Sequence, residues 1–593
     1  MHRSNLARRW RAAAAALLLS LAPAFAPALA AAGFDDWAES FAADWMRLSP
    51  EFTTSSRYFS GAEQDALDRQ LSDPDLRRER QREMAREALP KLQRWLADGL
   101  TPTQAQAAAT IRWSLERSLA AEPYEDHGFP FNQLRGLQVG SVNLFTQNHP
   151  LRRPADLESW LARLAQLPSR FDVTIARSRA AAARGLLPPR FIVERARGQF
   201  EAFLKPAAAD NLLLVDLRER SKAIAGLAPE DRQRALDRAA VLVVEQVRPA
   251  FERARALLDE ILPRTTDDAG LWRLPDGAAA YAQALAANTT TAIGAEQIHQ
   301  LGLREVARIE AQMDAVLNKL GRSEGSVSAR MASLVAERQL AAEPDPRPEI
   351  LARYARYIVD AQTRSAPLFN LKPKAPVEVR RVPVLTERTA SAYYTTPTPD
   401  GSRPGIFWVP LVGPTFNTLG MRSLAIHEAV PGHHFQLALQ QEQADLPRWR
   451  RQRVFGGGSA HSEGWALYAE RLAIDEGWYA DDPHSLLGAL GSQLFRARRL
   501  VVDSGLHAKR WTRQQAIDYG ISVSEVERYV VNPGQATAYM IGMLHILSLR
   551  EEARATMGAR FTMPGFHDVV LKAGSVPLEV LSDIVRRWAQ APA

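Results

Sequence analysis

Along most of this chain apolar residues recur at i, i+3, i+4 and i+7, a spacing that predicts one amphipathic helix after another. The clearest spans are residues 73–89, 154–183, 229–262 and 294–320. The first also has a start and a stop: Asp73 as N-cap, Pro74 at the first helical position and Pro90 just past the end. Pro and Gly clusters at 185–189, 343–348 and 532–534 punctuate the helices, and no fixed-period repeat is present. The pattern changes over 377–384, 392–396 and 406–410, which are rich in Val, Tyr, Phe and Trp. A turn at 400–405 separates the last two, predicting a small antiparallel sheet. An edge strand of such a sheet can pair with an extended peptide. The alternative is a hairpin that only caps the core.

The helical spacing resumes at 421–441, with Leu424, Ile426, Val430, Phe435, Leu437 and Leu439, and again at 460–476, with Trp465, Ala466, Leu467, Leu472 and Ile474. These two stretches carry the chemistry. The first contains His427, Glu428, Pro431, Gly432, His433 and His434. Two neutral imidazoles and a carboxylate can hold zinc, and a Glu beside the first His can take a proton from the water that attacks. The usual second His lies at i+4, which here is Pro431. On an ideal helix i+6 lies about 120° around from the start, and i+7 is about 10.5 Å further along the axis. Pro431 cannot donate to the His427 carbonyl and Gly432 bends freely, so a kink or widened turn would bring His427 and a later histidine together. His433 is the preferred partner, because Gly432-His433 mirrors the end of the usual motif. His434 is the alternative, or contacts substrate. The competing reading is a set of satisfied core histidines without a metal.

The third ligand is expected on the second helix. Glu463 sits in an apolar stretch, where an unpaired carboxylate is costly and a zinc ion supplies a partner. Glu470, two turns on, either orients a ligand histidine or pairs with Arg471. His461 is a lesser candidate for a supporting or substrate contact, and Gly456-Gly457-Gly458 forms a bendable entry loop.

The segments HEAVPGHH (427–434) and EGWALYAE (463–470) resemble the bacterial domain-of-unknown-function family DUF885, itself similar to gluzincin metallopeptidases. The second is also similar to a motif of the alanyl aminopeptidases, whose first Glu is the third zinc ligand and falls here on Glu463. Further family-like stretches are 391–405, 499–512 and 532–542. The resemblance covers nearly all of the chain after its N-terminus. It implies a mainly α, zincin-like helical metallopeptidase fold with a small sheet beside a zinc cleft. From the last stretch, Tyr539 is a candidate donor to a tetrahedral oxyanion, with a core aromatic as the alternative.

Composition narrows this picture. With 593 residues, 46% hydrophobic and 24% charged, the chain is an ordinary globular protein too long for one small core. It has no cysteine, which excludes disulfides, thiolate metal sites, a cysteine nucleophile and a lipidated cysteine. Arg3, Arg8, Arg9 and Arg11 precede a short apolar run and small residues ending at Ala30, the pattern of a cleavable export signal. An uncleaved anchor is the alternative. These arginines supply much of the +7 charge, so the rest is only mildly basic and gives no argument for nucleic acid. The basic runs 448–453 and 496–510 suit solvated helix faces. Arg499, Asp503 and His507 share one face and suit an ion-pair network, with contacts in the cleft as the alternative.

The expectation is a signal peptide at 1–30, a helical region at 34–370 and a zinc-site catalytic region at 371–593. The protein reads as a periplasmic or secreted zinc peptidase acting on a peptide or peptide-like substrate, with no stable membrane span. The rivals are a zinc hydrolase of non-peptide amides or esters and an inactive helical binding protein with a structural metal. Glu428 argues against the last, because a structural site needs no base.

Overall fold

The computed structural model describes residues 22–382, 387, 391–398, 401, 403–456 and 458–592, with side chains from residue 33 onward. Residues 1–21 of the expected signal, the end of the first expected strand at 383–384, and Asp400, Ser402 and Gly457 lie outside the described residues.

The fold is mainly helical with small sheets. Helix α1 (Pro74–Ala97) is capped as expected, the Asp73 carboxylate accepting from the Asp75 and Leu76 amides. Pro90 does not end it. The helix runs a further two turns, because the apolar stripe continues through Leu92 and Trp95, and Trp95 packs edge-on against Phe34 at 5.4 Å. That burial offsets the cost of an interior proline, about 3 kcal/mol. The expected span 154–183 is two helices, α2 (Pro154–Leu164) and α3 (Leu167–Ala183), since Pro168 cannot extend the ladder of the preceding helix. The span 229–262 comprises α4 (Pro229–Leu242) and α5 (Arg248–Ile261), joined by a π turn at Val243–Val247 just before Pro249.

One apolar core gathers Phe131, Trp160, Phe171, Phe200 and Phe251 from α2, α3, α5 and their neighbours. A larger core is built from α6 (Gly277–Thr289), α7 (Ala295–Lys319), α8 (Arg347–Ser365) and the C-terminal helices. It takes residues from both sides of residue 370, Tyr281 and Met313 as well as Trp465 and Met540.

Strand β1 (Gln339–Ala341) pairs antiparallel with a later strand, as given below. The strands β2 (Val377–Arg381), β3 (Tyr393–Thr395) and β4 (Gly405–Val409) form a sheet in the order β2–β4–β3, and β5 (Thr415–Asn417) is the partner of β1. The sheet is mixed, not antiparallel as expected. β3 runs antiparallel to β4, with Tyr393 opposite Trp408, whereas β2 runs parallel to it, with Val377 opposite Gly405. The buried strand β4 takes the centre, so the chain from β2 must cross over before returning through β3. β3 is left at an edge.

Candidate metal centre

The 421–441 stretch is not one kinked helix. It is two, α9 (Met421–Glu428) and α10 (His433–Glu442), separated by Ala429–Val430–Pro431–Gly432. The Ala429 amide still donates to the Ala425 carbonyl at 2.9 Å, after which Ala429 leaves helical geometry at φ −114°, ψ −94°. Pro431 has no amide hydrogen for the His427 carbonyl, so the ladder ends there. Gly432 passes so close to the end of α9 that a Cβ on it would lie 2.0 Å from the His427 carbonyl oxygen. Only glycine fits. The loop is pinned from α11 (Ala460–Asp475), where the Trp465 indole donates to the Pro431 carbonyl at 2.8 Å.

This break starts α10 at His433 and turns that ring onto His427. The ring centres lie 4.8 Å apart with planes at 82°. From α11, one Glu463 carboxylate oxygen reaches both, 3.6 Å from His427 Nε2 and 3.4 Å from His433 Nε2. One donor atom from each of the three residues falls within 4.8 Å of the others. Burial opposes the charge on Glu463, but His427 and His433 outweigh it and hold the carboxyl well below its usual range.

His434 points elsewhere. Its Nδ1 meets the Tyr394 hydroxyl at 2.9 Å on the sheet side, and burial pushes the imidazole down to about 4. His461 is also apart from the cluster, its Nδ1 accepting from the Val576 amide at 3.1 Å. Burial takes it to about 4 as well.

Glu470 does not pair with Arg471, which bonds Asp475 at 2.7 Å. It is fully buried and accepts from His427 Nδ1 at 2.7 Å, from the Ser492 hydroxyl at 2.6 Å and from Ser423. Burial opposes its charge, but Arg496, His427 and Ser423 prevail and bring it down to about 2. An ionised Glu470 requires the hydrogen on His427 Nδ1, so Nε2, which faces Glu463, is the atom that binds a metal once its own proton has left. For His427 itself, burial opposes the imidazolium, while Glu463 and Glu470 outweigh burial and raise it to about 9. His433 Nδ1 is buried without a partner among the described residues.

The cluster lies on the wall of a cleft of about 760 Å³, which is also lined by Glu428, by Tyr393, Tyr394 and Thr395 of the edge strand β3, and by Tyr539. Helix α12 (Pro483–Ala508) contributes Arg496 and Arg499, and α13 (Val523–Val531) contributes Glu525 and Arg528. Tyr539 stands on α14 (Ala538–Met557), its ring 6.5 Å from that of His427 and nearly parallel to it. Burial, then the nearby Glu463, raise its phenol, so it keeps its proton. α14 reaches this place because it crosses α11 glycine on glycine. A methyl group on Gly464 would sit 2.5 Å from the Gly542 backbone, and one on Gly542 would sit 2.0 Å from the Ala460 carbonyl oxygen.

Residues 50–585 match a family described as bacterial protein of unknown function, DUF885. This chain belongs to that family. The DUF885 chain is similar to the crystal structure of a candidate lipoprotein from Colwellia psychrerythraea, with 31% identity and a TM-score of 0.84 over 93% of this chain and 99% of that one. A candidate lipoprotein of unknown function from Shewanella oneidensis shares the fold at 21% identity and a TM-score of 0.68, again over 93% of this chain and 99% of the other. No curated protein matches the sequence.

Of the cleft arginines, reading the sequence offers only Arg499 as an alternative cleft contact and misses Arg453, Arg496 and Arg528. The runs at 448–453 and 496–510 are not simply solvated faces: Arg450 and Arg499 are buried, and Arg453, Arg496 and Arg499 line the cleft. Arg499, Asp503 and His507 do not form an ion-pair network either. Arg499 bonds Glu525 at 2.9 Å, Asp503 accepts from the Tyr281 hydroxyl at 2.6 Å, and His507 Nδ1 accepts from the Leu271 amide at 3.1 Å. The signal for the arginines was their spacing. Arg496 and Arg499 lie one turn apart on the face that also carries Phe495, and Arg498 points away to Glu310.

Proposed function

We propose that this DUF885 protein is an exported zinc-dependent peptidase with a gluzincin-like active site. The observation that carries the reading is the convergence of His427, His433 and Glu463 on the wall of a cleft that also holds Glu428. The donor set fits zinc. In a tetrahedral site with bonds of about 2.0–2.2 Å, neighbouring ligand atoms lie roughly 3.3–3.5 Å apart. The two separations to Glu463 are 3.4 and 3.6 Å. Glu470 fixes the His427 tautomer that a metal requires, the usual role of a carboxylate behind a ligand histidine.

A zinc ion held there supplies Lewis acidity toward a carbonyl and lowers the pKa of water. Glu428 takes the proton from the attacking water and delivers it to the leaving nitrogen. Tyr539, protonated and facing the cluster, donates a hydrogen bond to the oxygen that becomes negative in the tetrahedral state. Strand β3 offers an extended substrate the open edge of the sheet, which favours a peptide over a compact ester.

Export is part of the proposal, from the signal-like N-terminus. The similar proteins are described as candidate lipoproteins. This chain has no cysteine to carry such a lipid, and none of its described helices is long and apolar enough to cross a membrane.

The test is Glu428→Gln. The purified variant should keep its zinc, about one per chain as in the parent. It should lose peptide hydrolysis by roughly 10² to 10⁴-fold, since the amide cannot accept the proton. Protein never exposed to chelator that carries no transition metal sinks the reading. A substrate panel in which only esters or non-peptide amides are cut replaces the peptidase with the wider hydrolase.

A further inference from the structure

The cleft has a second wall that bond hydrolysis does not use, and it is cationic. Arg499 is 6% exposed. Its Nε donates to the Tyr529 hydroxyl at 3.1 Å and one Nη to Glu525 at 2.9 Å. Its other Nη is buried with no partner among the described residues. Arg528 shares the same Glu525 oxygen at 3.0 Å, so a single carboxylate serves two guanidinium groups. Arg496 lines the cleft; its Nη1 donates to Ser492, its buried Nε has no partner among the described residues, and Glu470, at 3.8 Å, is already committed to His427. Arg453 also lines the cleft, and no carboxylate among the described residues pairs with it. Guanidinium donors left open in a cleft match a carboxylate that is not part of the protein.

The wall is also at a defined distance from the metal cluster. The Tyr539 ring lies 4.5 Å from the Arg499 guanidinium carbon and 6.5 Å from the His427 ring. The guanidinium is therefore no farther from His427 than those two lengths laid end to end. One residue advances a chain by about 3.8 Å. A carbonyl at the His427–Glu463 cluster and a carboxylate at Arg499 are thus separated by at most about three residues of chain.

We propose that Arg499, aided by Arg453, Arg496 and Arg528, binds the free α-carboxylate at the C-terminus of a peptide, making this protein a carboxypeptidase-type exopeptidase that releases at most about three residues. The identity of the carboxylate rests on geometry and charge. The register of cleavage rests on the peptidase reading above.

The experiment compares one N-acetylated tripeptide with neutral side chains as its free acid and as its C-terminal amide, and adds an amide with an internal Glu. Binding is measured by calorimetry to full-length Glu428→Gln, where turnover does not intrude, and cleavage with the parent protein. The free acid should bind about 10- to 100-fold tighter than either amide, the scale of a hydrogen-bonded charge pair. Arg499→Gln in that background should erase the preference, and Arg453→Gln, which removes no internal ion pair, should reduce it with the melting temperature unchanged. Equal binding and equal cleavage of acid and amide overturn the proposal and leave the peptidase standing. Tighter binding of the internal-Glu amide also overturns it, in favour of side-chain recognition. A preference for the free acid with no cleavage of any peptide supports the carboxylate site and removes the peptidase reading.

Discussion

His433 and His434 are adjacent in the chain, yet one faces Glu463 and the other the Tyr394 hydroxyl. His433→Ala should therefore weaken zinc binding by more than about 100-fold, beyond the 10–100-fold typical of losing a residue behind a ligand. His434→Ala should have a much smaller effect. Titration against a competing chelator measures both, and the reverse order would mean that His434 leaves Tyr394 to bind the metal. At this scale the sequence was informative where chemistry forces a residue type. His427, Glu463 and Glu470 were legible because a carboxylate on an apolar helix requires a partner, and each has one. The choice between the two later histidines was only partly legible, since it depends on the backbone path through Pro431 and Gly432. His461 and the cleft arginines other than Arg499 were not, because a polar residue on an apolar face gives no sign of which neighbour will satisfy it.

Helices were legible where the apolar stripe and the chain breakers agreed, as at Asp73, and misjudged where they conflicted. At Pro90 the stripe continued and won, while at Pro168 and Pro431 the missing amide hydrogen ended a helix. The parallel pairing of β2 with β4 was invisible because it depends on a crossover, not on local alternation. One junction makes a measurable claim. Asp503 on α12 ties that helix to α6 through the Tyr281 hydroxyl and to the turn before α14 through the Gly534 amide at 3.0 Å. Burial, opposed by those donors and Arg528, lifts its carboxyl to about 7. An unfolded Asp titrates near 3.9, so between about pH 4 and 7 the folded form keeps a proton that the unfolded form releases. Stability from this residue is full below that window and falls as pH rises through it, by up to about 1.4 kcal/mol per pH unit. Asp503→Asn keeps an acceptor for both donors and should flatten that part of the profile in urea melts at pH 4.5 to 7.5. An unchanged slope would show that Asp503 is ionised throughout.

At the scale of the molecule, the proposed ligands come from three helices, α9, α10 and α11, whose apolar faces belong to the larger core. A metal bound only by the folded form stabilises it by mass action, about 2.7 kcal/mol at a free concentration 100 times its Kd. Chelation should lower the calorimetric Tm by a few degrees, zinc should restore it, and calcium should not. A Tm indifferent to chelator, with zinc shown to have left, would detach the cluster from the stability of the core. The glycine-on-glycine crossing of α11 and α14 bears on the same cleft in another way. Glu463 rides on one helix and Tyr539 on the other, and the two backbones already touch. Neither helix can move inward, and a bulkier residue at the crossing could only drive them apart. The gap between these two walls is a fixed gauge, like the throat of a caliper locked at one setting. Relatives that take larger or smaller substrates would have to vary β3 and the adjoining Ser391, Ala392 and Thr396, which line the cleft from the side, and leave the jaws alone.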